Sequence, residues 1–170
     1  MSEDIPTLLS IAQIAGVFVG FAALVSVLRD RSGGTPGVAE MTQLSGAVMP
    51  GLVVVVAGLI PVVLARYPIS TPVVWRLSCA GFLIIIWLLV LSYGRSLELV
   101  REAFRAAPVS TSVVWFVLEP IVQIPLVLGM LGFLPSLAPA FYLTALVVNL
   151  AQAAFMFSQL VVSITLSLRR

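Results

Sequence analysis

The sequence predicts an all-α integral membrane protein: a bundle of about five transmembrane helices, with its N-terminus outside and its C-terminus in the cytoplasm. Three observations lead to this fold class. Of the 170 residues, 61% are hydrophobic and only 9% are charged, whereas a soluble domain carries about a quarter charged residues. The apolar residues form continuous runs long enough to cross a bilayer. The arginines fall mainly on one side when these runs are threaded through it.

The apolar runs define the predicted helices. A bilayer core about 30 Å thick is crossed by roughly 20 apolar residues in a helix. The runs are continuous rather than alternating, which favours helices over a β-barrel. The predicted spans form a single domain and cover residues 7–28, 44–65, 73–94, 112–134 and 140–167. After the third span, residues 95–106 form an amphipathic pattern that predicts a cytoplasmic helical extension.

The distribution of arginine predicts the orientation. With five spans, one side of the membrane holds Arg29, Arg31, Arg95, Arg101, Arg105, Arg169 and Arg170, and the other side holds only Arg66 and Arg76. Cytoplasmic segments carry the excess of basic residues, so the C-terminus is predicted to be cytoplasmic. Glu3 and Asp4 stand where a signal peptide would be basic, so the first span is expected to be retained. The absence of lysine is typical of a GC-rich genome, and we expect the inner (plasma) membrane of a prokaryote.

Composition also excludes several classes of function. The chain has no His, and Cys79 is its only Cys, which argues against a zinc site, a His-ligated haem and an internal disulfide. We therefore expect no metal and no cofactor. Without His or Lys, the acid–base and nucleophile pairs of an enzyme are missing, so no catalytic activity is predicted. A net charge of +2 with scattered arginines does not indicate nucleic-acid binding.

Glu119 is the one ionisable side chain well inside a predicted span. It lies about 12 Å deep at 1.5 Å of rise per residue, where insertion scales assign a charged group a cost of about 2.5–3.5 kcal/mol. A proton, a partner or water must offset that cost. Pro120 and Pro125 free backbone carbonyls nearby and are expected to kink the helix, and Gln123 lies one turn away. Interrupted helices of this kind line ion or substrate sites; alternatively, Glu119 and Gln123 only hydrogen-bond a neighbouring helix.

The fifth span carries a stripe of residues spaced three and four apart: Asn149, Gln152, Met156, Gln159 and Ser163. A stripe of amides facing lipid would be costly, so this face is expected to turn toward other helices, a second subunit or water. Counted at the helical rise, five polar groups from three spans fall in one band near the midplane: Gln13, Glu119, Gln123, Asn149 and Gln152. Their convergence predicts one buried polar cluster, a candidate ion or polar site.

Two other features concern helix packing. Gly16 and Gly20 form a GxxxG pattern in the first span, which lets two helix backbones approach closely, either within the chain or between copies. Pro50 and Pro61 lie in the second span and are expected to bend it.

These features predict a small polytopic membrane protein, a homo-oligomeric channel or pore-like ion-conducting protein with a midplane polar cluster around Glu119. Its predicted partners are the lipid bilayer and further copies of itself. Two alternatives stay open. One is a non-catalytic accessory or scaffold subunit of a membrane complex with another membrane protein. The other is a small proton-coupled transporter in which Glu119 gains and loses a proton.

Overall fold

The computed structural model describes residues 3–30, 38–94 and 109–167. In these ranges the chain folds into long α-helices with no β-strand, which confirms the all-α class. The predicted helical extension at 95–106 lies outside the described residues. The five helices are α1 Asp4–Asp30, α2 Val38–Leu64, α3 Thr71–Gly94, α4 Val109–Leu131 and α5 Ala138–Ser167, with a 3-10 turn at Pro135–Leu137 between the last two.

Three of the helices are long and apolar enough to cross a membrane, judged by length and composition in the described ranges. Their apolar segments are Asp4–Val25, Thr71–Ser92 and Pro135–Gln159, the last of which includes the 3-10 turn. The other two helices contain shorter apolar segments at Val48–Leu64 and Phe116–Leu131.

Helix α4 ends three residues before the predicted boundary at 134, and the reason is a specific C-terminal motif. The N–H of Gly132 donates to the carbonyl of Gly129, and the N–H of Phe133 donates to that of Leu128. Gly132 has a φ of 75°, a left-handed conformation that glycine adopts without a steric penalty. This Schellman-type ending satisfies the last carbonyls of the helix. It turns the chain so that α5 packs antiparallel to α4.

Close contacts at glycines show which helices approach most tightly. On α2, a Cβ added at Gly51 would lie 2.6 Å from Val19 Cγ2, and one added at Gly58 would lie 3.2 Å from Ala12 Cβ. On α4, a Cβ at Gly129 would lie 2.7 Å from Cys79 Sγ of α3. Glycine is therefore what allows the antiparallel α1–α2 and α3–α4 pairs to pack at these distances.

The core of the bundle surrounds Tyr142 of α5, a fully buried side chain. Its ring packs between Trp75 and Phe82 of α3, with centroids 5.7 Å away in both cases. Its hydroxyl donates a 2.6 Å hydrogen bond to the carbonyl of Ala57 on α2. Pro61 has no N–H to donate to Ala57, so Tyr142 satisfies the acceptor that this proline leaves free.

The outer surface of the bundle is strongly apolar. Large hydrophobic side chains are exposed along every helix, among them Phe21, Ile84, Trp87, Ile124 and Val147. A soluble monomer rarely exposes contiguous apolar patches of more than a few hundred Å². The surface is thus compatible with a lipid environment.

Candidate functional site

Glu119 and Gln123 form a polar pair on α4. The Nε2 of Gln123 donates a 2.9 Å hydrogen bond to Oε1 of Glu119, and both side chains are half-buried. Val122 and Leu126 face the core from the same helix, whereas Ile124 is exposed. The pair therefore lies at the edge of the buried face, where one carboxyl and one amide meet and neither is fully covered by the chain.

The prolines beside this pair do not end the helix. Pro120 and Pro125 both lie inside α4, and Pro50 and Pro61 both lie inside α2. The carbonyls of Phe116 and Ile121 consequently lack the N–H that would normally bond to them, which adds acceptors near Glu119. The expected kinks at these four prolines stay predictions.

Asn149 and Gln152 lie inside the bundle, on the core-facing side of α5. Their exposed fractions are 5% and 1%. Asn149 Oδ1 and both Gln152 amide atoms have no hydrogen-bond partner among the described residues. Met156, one turn further, is buried as the stripe predicted, and Gln159 is half-buried. The side chain of Ser163 lies outside the described part of the chain.

Residue counts along α4 and α5 relate these two sets of polar groups. Glu119 lies 12 residues before the end of α4 at Leu131, and Leu150 lies 12 residues after the start of α5 at Ala138. Each residue advances both helices by the same rise. By this count Glu119 falls near the level of the turn of α5 that carries Asn149 and Gln152, although no hydrogen bond joins it to the unpartnered atoms of these amides.

Gln13 stands apart from the other four predicted site residues. It is exposed on α1, on the same outward side as Gly16 and Gly20. A Cβ added at Gly20 would meet nothing within 4 Å. The face of α1 that packs into the bundle instead carries Leu8, Ala12, Ala15 and Ala22. Within one chain, the GxxxG pattern is not the close contact of α1, and Gln13 does not join the buried amides.

Three polar features of the described residues are absent from the sequence-based predictions. The Tyr142–Ala57 hydrogen bond was signalled only by Pro61, four residues after Ala57. The Nε1 of buried Trp75 has no hydrogen-bond partner among the described residues. Arg76, near the start of α3, lies with its guanidinium against Gly132 at the end of α4, 13 positions along the chain from Glu119.

The polar groups of this region are one carboxyl, several side-chain amides and the carbonyls freed by proline, which offer hydrogen bonds and oxygen ligands. In the described ranges there is no group of three or more His, Cys, Asp or Glu side chains that could hold a metal ion. Comparisons of this chain with protein families, with curated proteins and with solved structures found no match.

Proposed function

We propose that this chain is a homo-oligomeric, cation-conducting membrane protein in which Glu119 and Gln123 border the conducting path. The observation that carries the proposal is the half-buried Glu119–Gln123 pair, which lies on α4 beside the exposed apolar side chains of Ile121 and Ile124. In lipid, an ionisable side chain normally faces a bundle interior or a water-filled space. Because one chain covers this pair only in part, its remaining surface requires water or a further copy.

The chemistry of the pair favours cations. A symmetric assembly would repeat the carboxyl once per subunit, and a ring of carboxylates selects for positive ions. The Gln123 amide holds Oε1 of Glu119 in place. The other carboxyl oxygen and the carbonyls freed by Pro120 and Pro125 are then available as ligands or as acceptors for water.

Assembly into an oligomer is supported by a second polar surface, the outward face of α1 with Gln13, Gly16 and Gly20. Gly16 and Gly20 are small enough for another helix to approach closely. An amide is both donor and acceptor, so Gln13 of one copy can pair with Gln13 of another. Such pairing would remove an exposed amide from the acyl region.

The membrane arrangement is part of the proposal: five spans in a prokaryotic plasma membrane, an outside N-terminus and a cytoplasmic C-terminus. It rests on the arginine distribution. Cys79 is fully buried, so a Cys79→Ala background allows a single Cys to be placed at either terminus. A membrane-impermeant thiol reagent added to intact cells should label the N-terminal Cys and spare the C-terminal one; the reverse pattern would overturn this orientation.

The functional test is cation flux through the purified protein in liposomes. Glu119→Gln keeps the size of the side chain and removes its charge, so we expect a clear fall in cation flux or in selectivity over anions. Glu3→Gln makes the same chemical change at an exposed position before α1, and it should leave flux unchanged. Flux that is equal in the native and Glu119→Gln proteins would exclude this role for Glu119.

The outward face of α1 also favours a second candidate, an accessory subunit of a membrane complex. Gly16 and Gly20 would accept a helix of a different protein as readily as a second copy. Native mass spectrometry of the protein extracted from its own membrane separates the two: only copies of this chain support the channel, and a constant second protein supports the accessory role.

A further inference from the structure

We infer that Asn149 and Gln152 form a buried hydration site, which holds at least one ordered water molecule inside the helix bundle. The inference does not depend on ion conduction. It concerns the interior face of α5, which is separate from the half-exposed Glu119–Gln123 pair on α4.

The amides of Asn149 and Gln152 are buried without enough hydrogen-bond partners. Asn149 and Gln152 are more than nine-tenths buried, and three of their polar atoms have no partner among the described residues. Burying such atoms unpaired carries a large free-energy cost, and in native proteins a bound water commonly removes it. Residues three apart on a helix are neighbours, so one water molecule can contact both side chains.

The unpartnered atoms of these amides suit water better than a bare cation. Gln152 leaves both a donor, Nε2, and an acceptor, Oε1, unpartnered. A cation can satisfy only the oxygen, whereas water donates and accepts. Three available atoms also match the about three hydrogen bonds that a buried water typically makes.

Helix α2 forms the opposite wall of the site. Two contacts bracket it: Tyr142 bonds to Ala57 on the outer side, and Met156 belongs to a cluster with Val48 on the inner side. Helix α2 therefore faces Asn149 and Gln152 with the segment between Val48 and Ala57, which includes the buried Pro50.

Pro50 frees a further carbonyl acceptor, one turn before it on α2. It has no N–H for the carbonyl of Gly46, just as Pro61 has none for Ala57. The two prolines are eleven residues apart, which is close to three helical turns, so the freed carbonyls share one face of α2. Tyr142 bonds the outer carbonyl directly. Eleven residues after Tyr142 stands Ala153, whose methyl group cannot donate, so the side chain of α5 at this position does not repeat the Tyr142 hydrogen bond.

Water-edited solid-state NMR of the native protein in lipid bilayers tests the site directly. We expect magnetisation to pass from water to the side-chain amides of Asn149 and Gln152 several-fold faster than to Leu8, a buried residue at the outer end of α1. Equal, slow transfer to Leu8 and to both amides would overturn the inference.

Two variants sharpen the test. Gln152→Leu keeps the approximate size of the side chain but removes both of its hydrogen-bonding atoms, so water transfer to the Asn149 amide should fall several-fold. Met156→Leu, one turn away, should leave it unchanged. Unchanged transfer in Gln152→Leu would contradict a shared site, and if that variant does not fold, the native measurement still decides. Hydrated amides in a protein that conducts no ions would support this site and overturn the proposed function. Dry amides in a protein with Glu119-dependent flux would overturn this site and support the proposed function.

Discussion

Two regions of the buried face of α5 differ in how their polar groups are paired. Around Tyr142, Pro61 of α2 frees the carbonyl of Ala57, and the Tyr142 hydroxyl bonds to it at 2.6 Å. Further along α5, Asn149 and Gln152 are also buried, yet three of their polar atoms have no partner in the described ranges. The Ala57 carbonyl finds its hydrogen-bond partner within the chain, whereas the amides of Asn149 and Gln152 need a hydrogen-bond partner from outside it.

The two faces of α1 differ in the same manner. Its inward face pairs small side chains with small partners, since Ala12 and Ala15 lie against Gly58 and Gly51 of α2. Its outward face carries Gln13, Gly16 and Gly20, and Gly20 has nothing near it. Groups that are packed or hydrogen-bonded within the chain stabilise the fold. Groups without such contacts are the ones that water, ions or other copies can bind.

Removal of the completed hydrogen bond should give the largest loss of stability. Tyr142→Phe keeps the ring between Trp75 and Phe82 but leaves the Ala57 carbonyl unpaired, so we expect the protein to lose about 1–2 kcal/mol of unfolding free energy. Denaturant titration in detergent measures this loss, and Tyr67→Phe at an exposed position is the control.

A double-mutant cycle identifies the cause. Pro61→Ala restores the backbone N–H that can donate to the carbonyl of Ala57. The loss of unfolding free energy caused by Tyr142→Phe should therefore be clearly smaller in the Pro61→Ala background. The same loss in both backgrounds would mean that the hydroxyl does not compensate for the proline.

A bulky side chain on the outward face of α1 should weaken self-association rather than the fold. Gly20→Leu fills the open surface, and we expect the dissociation constant between copies to rise about tenfold, equivalent to about 1.4 kcal/mol. Fluorescence energy transfer between labelled copies in liposomes measures it. Thermal unfolding in detergent should stay near the native value, whereas a folding defect with unchanged association would place Gly20 inside the bundle.

The smallest effect on stability is expected at the open amides. Gln152→Leu removes no hydrogen bond between described residues; it loses only a water-mediated contact, and that loss is offset because a polar amide no longer has to be buried. We therefore expect the unfolding free energy to change by less than about 1 kcal/mol. A loss as large as that of Tyr142→Phe would show that the Gln152 amide, too, is hydrogen-bonded within the chain.

Part of this arrangement could be predicted from the sequence because position along a helix follows from residue count. Apolar run length predicted the helices, and the constant rise predicts similar positions along α4 and α5 for Glu119, Asn149 and Gln152. The direction of Gln13 could not be predicted, because α1 has small residues on two faces. Gly51 and Gly58 of α2 decide which face packs inward. The end of α4 was missed because it depends on the left-handed conformation of Gly132.

The most direct test of the central claim is the environment of the Glu119–Gln123 pair in a bilayer. A nitroxide label at Gln123→Cys, in the Cys79→Ala background, reports collisions with a water-soluble nickel chelate and with lipid-soluble oxygen. Ile124→Cys, next in sequence and exposed on the apolar surface, is the reference. We predict that the nickel chelate reaches position 123 several-fold more often than position 124. Equal, oxygen-dominated profiles at both positions would place the pair in lipid and contradict the account.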